Sequence, residues 1–196
     1  MKRDDPCDPL VTEARRRLRK AVDACNLELG AAGIRVRILV WRPCGALVYV
    51  YRPKHLAEYL LDPRARIPLE RAGYPVRELD ACLLQLARRI AAASGAAPCA
   101  AECPAIDAGP RTPRDGMTTC ERGFPHEMGY FLGYPYADVE GFILHKGKDY
   151  VAMGLWKVYG ERERALETFA RYKRCTRELE RAYRRHGELR RLAACA

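Results

Sequence analysis

The hydrophobic repeat of the chain changes period at one short, glycine-bounded step, and that change dictates a helix followed by a hairpin. Between 10 and 29, Leu18, Val22, Cys25 and Leu29 recur at three- and four-residue spacing, the repeat that lines one face of an α-helix. Gly30 and Gly33 end it. Ile34, Val36, Ile38 and Val40 then alternate with Arg35, Arg37, Leu39 and Trp41, the period of a half-buried strand. Arg42-Pro43-Cys44-Gly45 reads as a turn, and 46–51 as a second strand apolar on both faces. The spacing therefore predicts a β-hairpin.

Pro53 opens a short helix to about residue 61, since its missing N–H costs nothing in a first turn. Asp62-Pro63 breaks it. From about Val76, a longer helix sets Leu79, Leu83, Leu86 and Ile90 on one face. Residues 94–123 hold four Pro, four Gly, six Ala and three Cys with no apolar period. So long a stretch without a repeat reads as a flexible insertion in a single domain spanning 1–196. Beyond it, Pro125 and Gly133 bound a short helix. Pro135 opens another, which points Val139, Phe142 and Ile143 inward and stops at Gly147. Residues 150–159 are apolar on both faces and read as a central strand. Glu161 begins a last helix with Ala165, Phe169, Tyr172, Leu179 and Tyr183 on one stripe and five Arg on the opposite side. The expected fold is α/β or α+β: a small, mostly antiparallel sheet of three or more strands, including the hairpin, covered by helices.

Composition narrows the function classes. Hydrophobic residues at 48% and charged ones at 31% are those of a globular protein. No apolar run approaches a bilayer span. The start, Met1-Lys2-Arg3-Asp4-Asp5-Pro6, is charged and lacks the apolar core of a secretory signal, so the expected location is the cytoplasm. Nine cysteines, an odd number, fit reduced thiols better than a disulfide framework. Cys82 and Cys175 sit among apolar neighbours, as small core residues would. The net charge of +10 gathers at the ends: residues 1–20 hold seven basic and four acidic side chains, residues 161–196 eleven and six. Interleaved acids and a bias of 28 Arg to 7 Lys argue against specific nucleic-acid binding.

From Phe124 onward the chain carries a recognisable order of pieces. Phe124-Pro125-His126-Glu127-Met128-Gly129-Tyr130-Phe131-Leu132-Gly133-Tyr134-Pro135 leads to Asp138-Val139-Glu140-Gly141-Phe142-Ile143. Lys146-Gly147-Lys148, Trp156-Lys157-Val158-Tyr159-Gly160 and a helix with Phe169, Tyr172, Lys173 and Cys175 follow. Together with Val48-Tyr49-Val50-Tyr51-Arg52 and Gly73-Tyr74, these pieces resemble the bacterial family catalogued as domain of unknown function 3793, over most of residues 30–192. Such proteins carry a Cys-x-Pro-Thr-Leu-like stretch near the start. Here the closest match is Cys7-Asp8-Pro9-Leu10, without the Thr, and the 94–123 insertion is longer than the family pattern. The resemblance implies no reaction.

Chemistry can be read from four groups of residues. His126-Glu127 suggests a metallopeptidase helix, but His-Glu-x-x-His needs a second His where Tyr130 stands. Cys7 with His126, and Glu127 beside it, could supply a thiol nucleophile and its base. Cys99, Cys103 and Cys120 are loosely spaced and lack a clear fourth ligand, so no metal is expected there. Tyr134, Lys146, Lys148, Trp156, Lys157 and Tyr159 set aromatic faces beside lysines, which suits an anionic, planar ligand such as a nucleotide or flavin. The leading expectation is a binding or regulatory module that takes an anionic small molecule or protein partner through 124–160, with no membrane partner and with the cofactor unspecified. The alternative is a cofactor-free cysteine–histidine hydrolase or transferase using Cys7 and His126.

Overall fold

A computed structural model describes residues 9–42, 45–94 and 124–187. Helix α1 (Pro9–Leu29) carries the predicted three-four repeat, and a single 3-10 turn closes it with Gly33 at a φ of 70°. Strands β1 (Arg35–Arg42) and β2 (Gly45–Tyr51) pair antiparallel from Arg35 opposite Tyr51 to Arg42 opposite Gly45. The register slips between Ile38 and Val40, and an extra residue of that kind resets the alternation of faces. Leu39, Val40 and Trp41 are consequently buried in succession. Arg15 and Arg19 of α1 lie 5.4 and 5.5 Å from the Trp41 ring, so the basic helix is held to the hairpin partly through cation–π attraction.

Among the described residues the hairpin does not grow into a larger sheet. At Val36 the Asn26 side chain donates from Nδ2 to the backbone oxygen at 2.9 Å and accepts the backbone N–H at 2.8 Å. An amide side chain thus satisfies the outward backbone groups of Val36, two of those a third strand would pair. The second sheet, β3 (Ala152–Met153) with β4 (Lys157–Val158), also has two strands. The expected sheet of three or more strands is therefore corrected, among the described residues, to two small antiparallel pairs in a mixed α+β fold.

Helix α2 (Pro53–Leu61) is bounded as predicted. Asp62 ends it and also starts α3 (Pro63–Arg71), its carboxylate accepting the Arg64 N–H at 2.9 Å, as a side chain at a helix N-cap does. Helix α4 (Leu79–Ser94) begins after a turn through residues 74–78 and buries Cys82, Leu83, Leu86 and Ile90. These pack in one core with Leu39, Val40, Tyr49, Leu56, Leu60 and Leu69. Each fully buried leucine stabilises the fold by about 1.5–3 kcal/mol through removal from water.

The rest of the chain lays α5 (Met128–Phe131) and α6 (Tyr136–Leu144) against this core through Tyr130, Phe131 and Val139. Helix α7 (Arg162–His186) closes a second, smaller cluster of Trp156, Val158, Ala165 and Phe169. Two expectations fail here. The segment 150–159 is a tight reversal in place of a central strand: Val151 donates to the Val158 oxygen at 2.9 Å, Gly154 to the Trp156 oxygen at 3.0 Å. Gly154 faces the Phe169 ring so closely that no side chain would fit, and Tyr150, Val151, Met153 and Leu155 around it are exposed. The α7 stripe is buried only at Ala165 and Phe169, and Cys175 is exposed, not a core thiol. The insertion predicted at 94–123 lies, beyond Ser94, outside the described residues. Among the described residues no helix is long and apolar enough to cross a membrane.

Candidate functional site

Helix α6 and the strands after it are locked by one buried carboxylate. Asp138 is 4% exposed. Its Oδ1 accepts the backbone N–H groups of Tyr159 at 2.8 Å and Gly160 at 2.9 Å, and its Oδ2 accepts Trp156 Nε1–H at 2.7 Å. A buried carboxylate is tolerated when donors surround it in this way. The Trp156 ring, so oriented, stacks on Tyr134 at 4.9 Å and meets Phe169 edge-on at 4.5 Å. Gly141, three residues along the helix, lets Tyr159 approach: a Cβ there would lie 2.5 Å from the Tyr159 Cβ. Asp138 and Gly141 together fix the β4 end of the chain against α6.

That arrangement builds a cationic, ring-lined face beyond the C-terminus of α6. His126 packs on Phe142 with ring centres 5.0 Å apart, Phe142 meets Tyr159 edge-on at 6.5 Å, and Tyr159 stacks on His145 at 5.5 Å. The Lys157 ammonium donates to the Gly147 oxygen at 2.7 Å and lies 4.8 Å from the Tyr150 ring centre and 5.8 Å from that of Phe142. It thereby ties β4 to the turn after α6. In that turn Lys146 and Gly147 have φ of 52° and 74°, with Gly147 donating back to the Phe142 oxygen at 2.9 Å. A lysine in the left-handed region is uncommon, and here it leaves Lys146 and Lys148 exposed on either side of Gly147. One carboxylate joins them: Asp149 lies 3.6 Å from His145 Nδ1.

Beside this face is a cleft of about 420 Å³ lined by Arg89, Phe124, His126, Glu127 and Ile143 together with Ala92 and Ala93. Two of its polar groups, Arg89 and Glu127, engage each other. Glu127 pairs with Arg89 at 3.0 Å, while Arg89 also donates to the Ala72 carbonyl and stacks over Tyr74 at 4.6 Å. Burial, and then the Glu140 and Glu127 carboxylates, push the Tyr130 phenol up to about 12, which keeps it neutral near physiological pH.

The structure divides the residues singled out from sequence. Lys146, Lys148, Lys157 and Tyr159 share the α6 face. Tyr134 and Trp156 sit behind it, stacked in the small core, with the Trp156 N–H spent on Asp138. His126 is exposed and its imidazole makes no hydrogen bond to a described residue, while Glu127 is committed to Arg89. Cys7 lies outside the described residues, as do Cys99, Cys103 and Cys120. Among the described residues no group of three or more His, Cys, Asp or Glu could hold a metal ion. Sequence reading passed over Arg89, Phe142, His145 and Asp138 as site residues. Of these, only Asp138 left a signal, a carboxylate one position before an inward-facing valine.

No curated protein and no solved structure matches the chain. The model of one family, described as protein of unknown function (DUF3793), matches residues 10–193, nearly the whole length and every element described above. The chain belongs to the DUF3793 family.

Proposed function

We propose that the protein is a binding or regulatory module that takes an anionic ligand with a planar ring, of the nucleotide or flavin kind, on the face formed by residues 124–160. The observation that carries this reading is the line of rings His126, Phe142, Tyr159 and His145 bordered by Lys146, Lys148 and Lys157. A flat anion can stack on such rings while ammonium groups neutralise its charge. The exposed lysines are available for that role, since the described structure gives them no carboxylate partner at salt-bridge distance. The test is equilibrium titration of the full chain with FMN, ADP and inorganic phosphate, repeated on a Lys146→Ala/Lys148→Ala variant. Binding of one ring-bearing anion that weakens by about tenfold or more in the variant supports the reading. Equal behaviour of wild type and variant toward all three would sink it.

A further inference from the structure

The outer half of α7 has the pattern of a packed helix and lacks the packing. Its apolar stripe starts in the core at Ala165 and Phe169, each 5% exposed. It continues at the same three- and four-residue spacing through Tyr172, Cys175, Leu179, Ala182 and Tyr183. Yet Tyr172 and Tyr183 are 44% and 48% exposed, and no residue of α7 beyond Phe169 is buried. The helix therefore runs on for roughly 25 Å at 1.5 Å per residue with one apolar face that no described residue covers. A lone helix of that length is marginal in water and gains its stability from what covers that face.

Charge selects the cover. Residues 171–186 hold seven Lys and Arg against two Glu. At 100° per residue, Arg171 and Arg185 flank one side of the stripe with Glu178 between them, and Lys173 and Arg184 flank the other beside Glu180, so the borders carry four cations against two carboxylates. A second copy of α7 would set two borders of net positive charge against each other, with only Glu178 and Glu180 to offset them. A bilayer would gain little from a stripe whose only large aliphatic side chain is Leu179. Nucleic acid would meet the charge and leave the stripe in water. We propose that residues 170–186 are a docking surface for an acidic amphipathic helix of a partner protein, its apolar seam on Tyr172, Leu179 and Tyr183 and its carboxylates on the four bordering cations. This surface is separate from the α6 face and does not depend on a ligand there.

The test is fluorescence anisotropy with the full chain and a labelled peptide of about three heptads, Leu at a and d and Glu at e and g. A peptide of the same composition in scrambled order is the control. The amphipathic peptide should bind at least about tenfold tighter than the scrambled one and weaken with salt. Leu179→Asp should abolish that preference, and Arg171→Glu/Lys173→Glu/Arg184→Glu should weaken binding with unchanged circular dichroism. Because all four positions lie beyond the buried part of α7, the variants keep the fold testable. Equal affinity for both peptides, which is simple polyanion binding, overturns the proposal. So does no binding of either peptide. So does self-association in sedimentation that Leu179→Asp abolishes, or uptake onto anionic phosphatidylserine vesicles that the same variant abolishes.

Discussion

Replacing Asp138 by asparagine keeps the size and shape of the side chain and turns one of its two terminal atoms from acceptor to donor. In the native site Oδ1 serves two backbone N–H groups and Oδ2 serves Trp156 Nε1. The asparagine oxygen can keep the two backbone bonds, now without charge assistance. The new NH₂ then faces the indole N–H, and two donors meet where neither reaches water. Leaving a buried donor unpaired costs about 1–3 kcal/mol, and losing charge assistance takes off up to about 1 kcal/mol per bond. Relief from burying a charge offsets part of this. The expected net loss for Asp138→Asn is about 2 kcal/mol, a large share of a stability of about 5–15 kcal/mol. Asp138→Ala orphans three donors and should cost about 4 kcal/mol. The assay is urea unfolding followed by circular dichroism, with equal slopes confirming comparable unfolding transitions. A double-mutant cycle with Trp156→Phe isolates the donor clash, because phenylalanine removes the indole N–H. Asp138→Asn should cost less in the Trp156→Phe background than in wild type. An asparagine variant within about 0.5 kcal/mol of wild type, or one that costs the same in both backgrounds, would refute this account of the site.

Gly141→Ala should destabilise by about 1–3 kcal/mol through overpacking against Tyr159, despite the roughly 1 kcal/mol that alanine gains in a helix; a more stable variant in the same urea assay contradicts the close packing of α6 on β4. Burial raises the Cys82 thiol from its ordinary 9.0 to about 11 and the Tyr130 phenol to about 12. Raised folded-state values contribute stability that is whole below the unfolded values and lost as pH rises through the folded ones, so unfolding free energy should fall between about pH 9 and 12, and a flat profile there argues against burial of these groups. Under native conditions iodoacetamide should modify exposed Cys175 far faster than Cys82, as read by peptide mass mapping; comparable rates would place Cys82 at the surface. If Cys7 and His126 form a catalytic pair, His126→Ala should slow alkylation of Cys7, and unchanged kinetics remove that pair from consideration.

The parts of the fold legible in sequence are those whose pattern is local and strong. Helix α1, the hairpin and α2 follow from spacing and from proline and glycine positions. Helix α3 escapes such reading because its two prolines and three arginines mask the repeat, and because Asp62 both ends one helix and caps the next. The 150–159 segment misleads for the opposite reason. Its residues are apolar throughout, but a glycine pressed against Phe169 turns the chain back after two residues of strand. At the site, lysines and aromatics near the end of α6 are visible as a group. Which of them reach the surface is not, since Trp156 is drawn inward by a carboxylate 18 positions earlier. Arg89 and Glu127 meet across 38 positions, a pairing no local pattern encodes. The α7 stripe is amphipathic as its spacing predicts; its burial depends on a neighbour that the described chain does not supply.

The Asn26 clasp on Val36 also bears on the order in which the chain folds. It joins residues ten apart, and the hairpin it grips closes on itself through adjacent strands. By contrast, the Tyr49 hydroxyl reaches the Phe131 carbonyl across 82 positions. Closing that larger loop costs about 2 kcal/mol more in chain entropy than closing the smaller one. On loop-closure entropy the helix–hairpin unit is the less costly nucleus, and α5 and α6 are expected to condense on it afterwards. Substitutions at Asn26 should mainly slow refolding, whereas those at Asp138 should mainly speed unfolding; stopped-flow rates that reverse this pattern would reverse the order. The polar side chain that clasps the hairpin at Val36 would then also be the one that lets folding start.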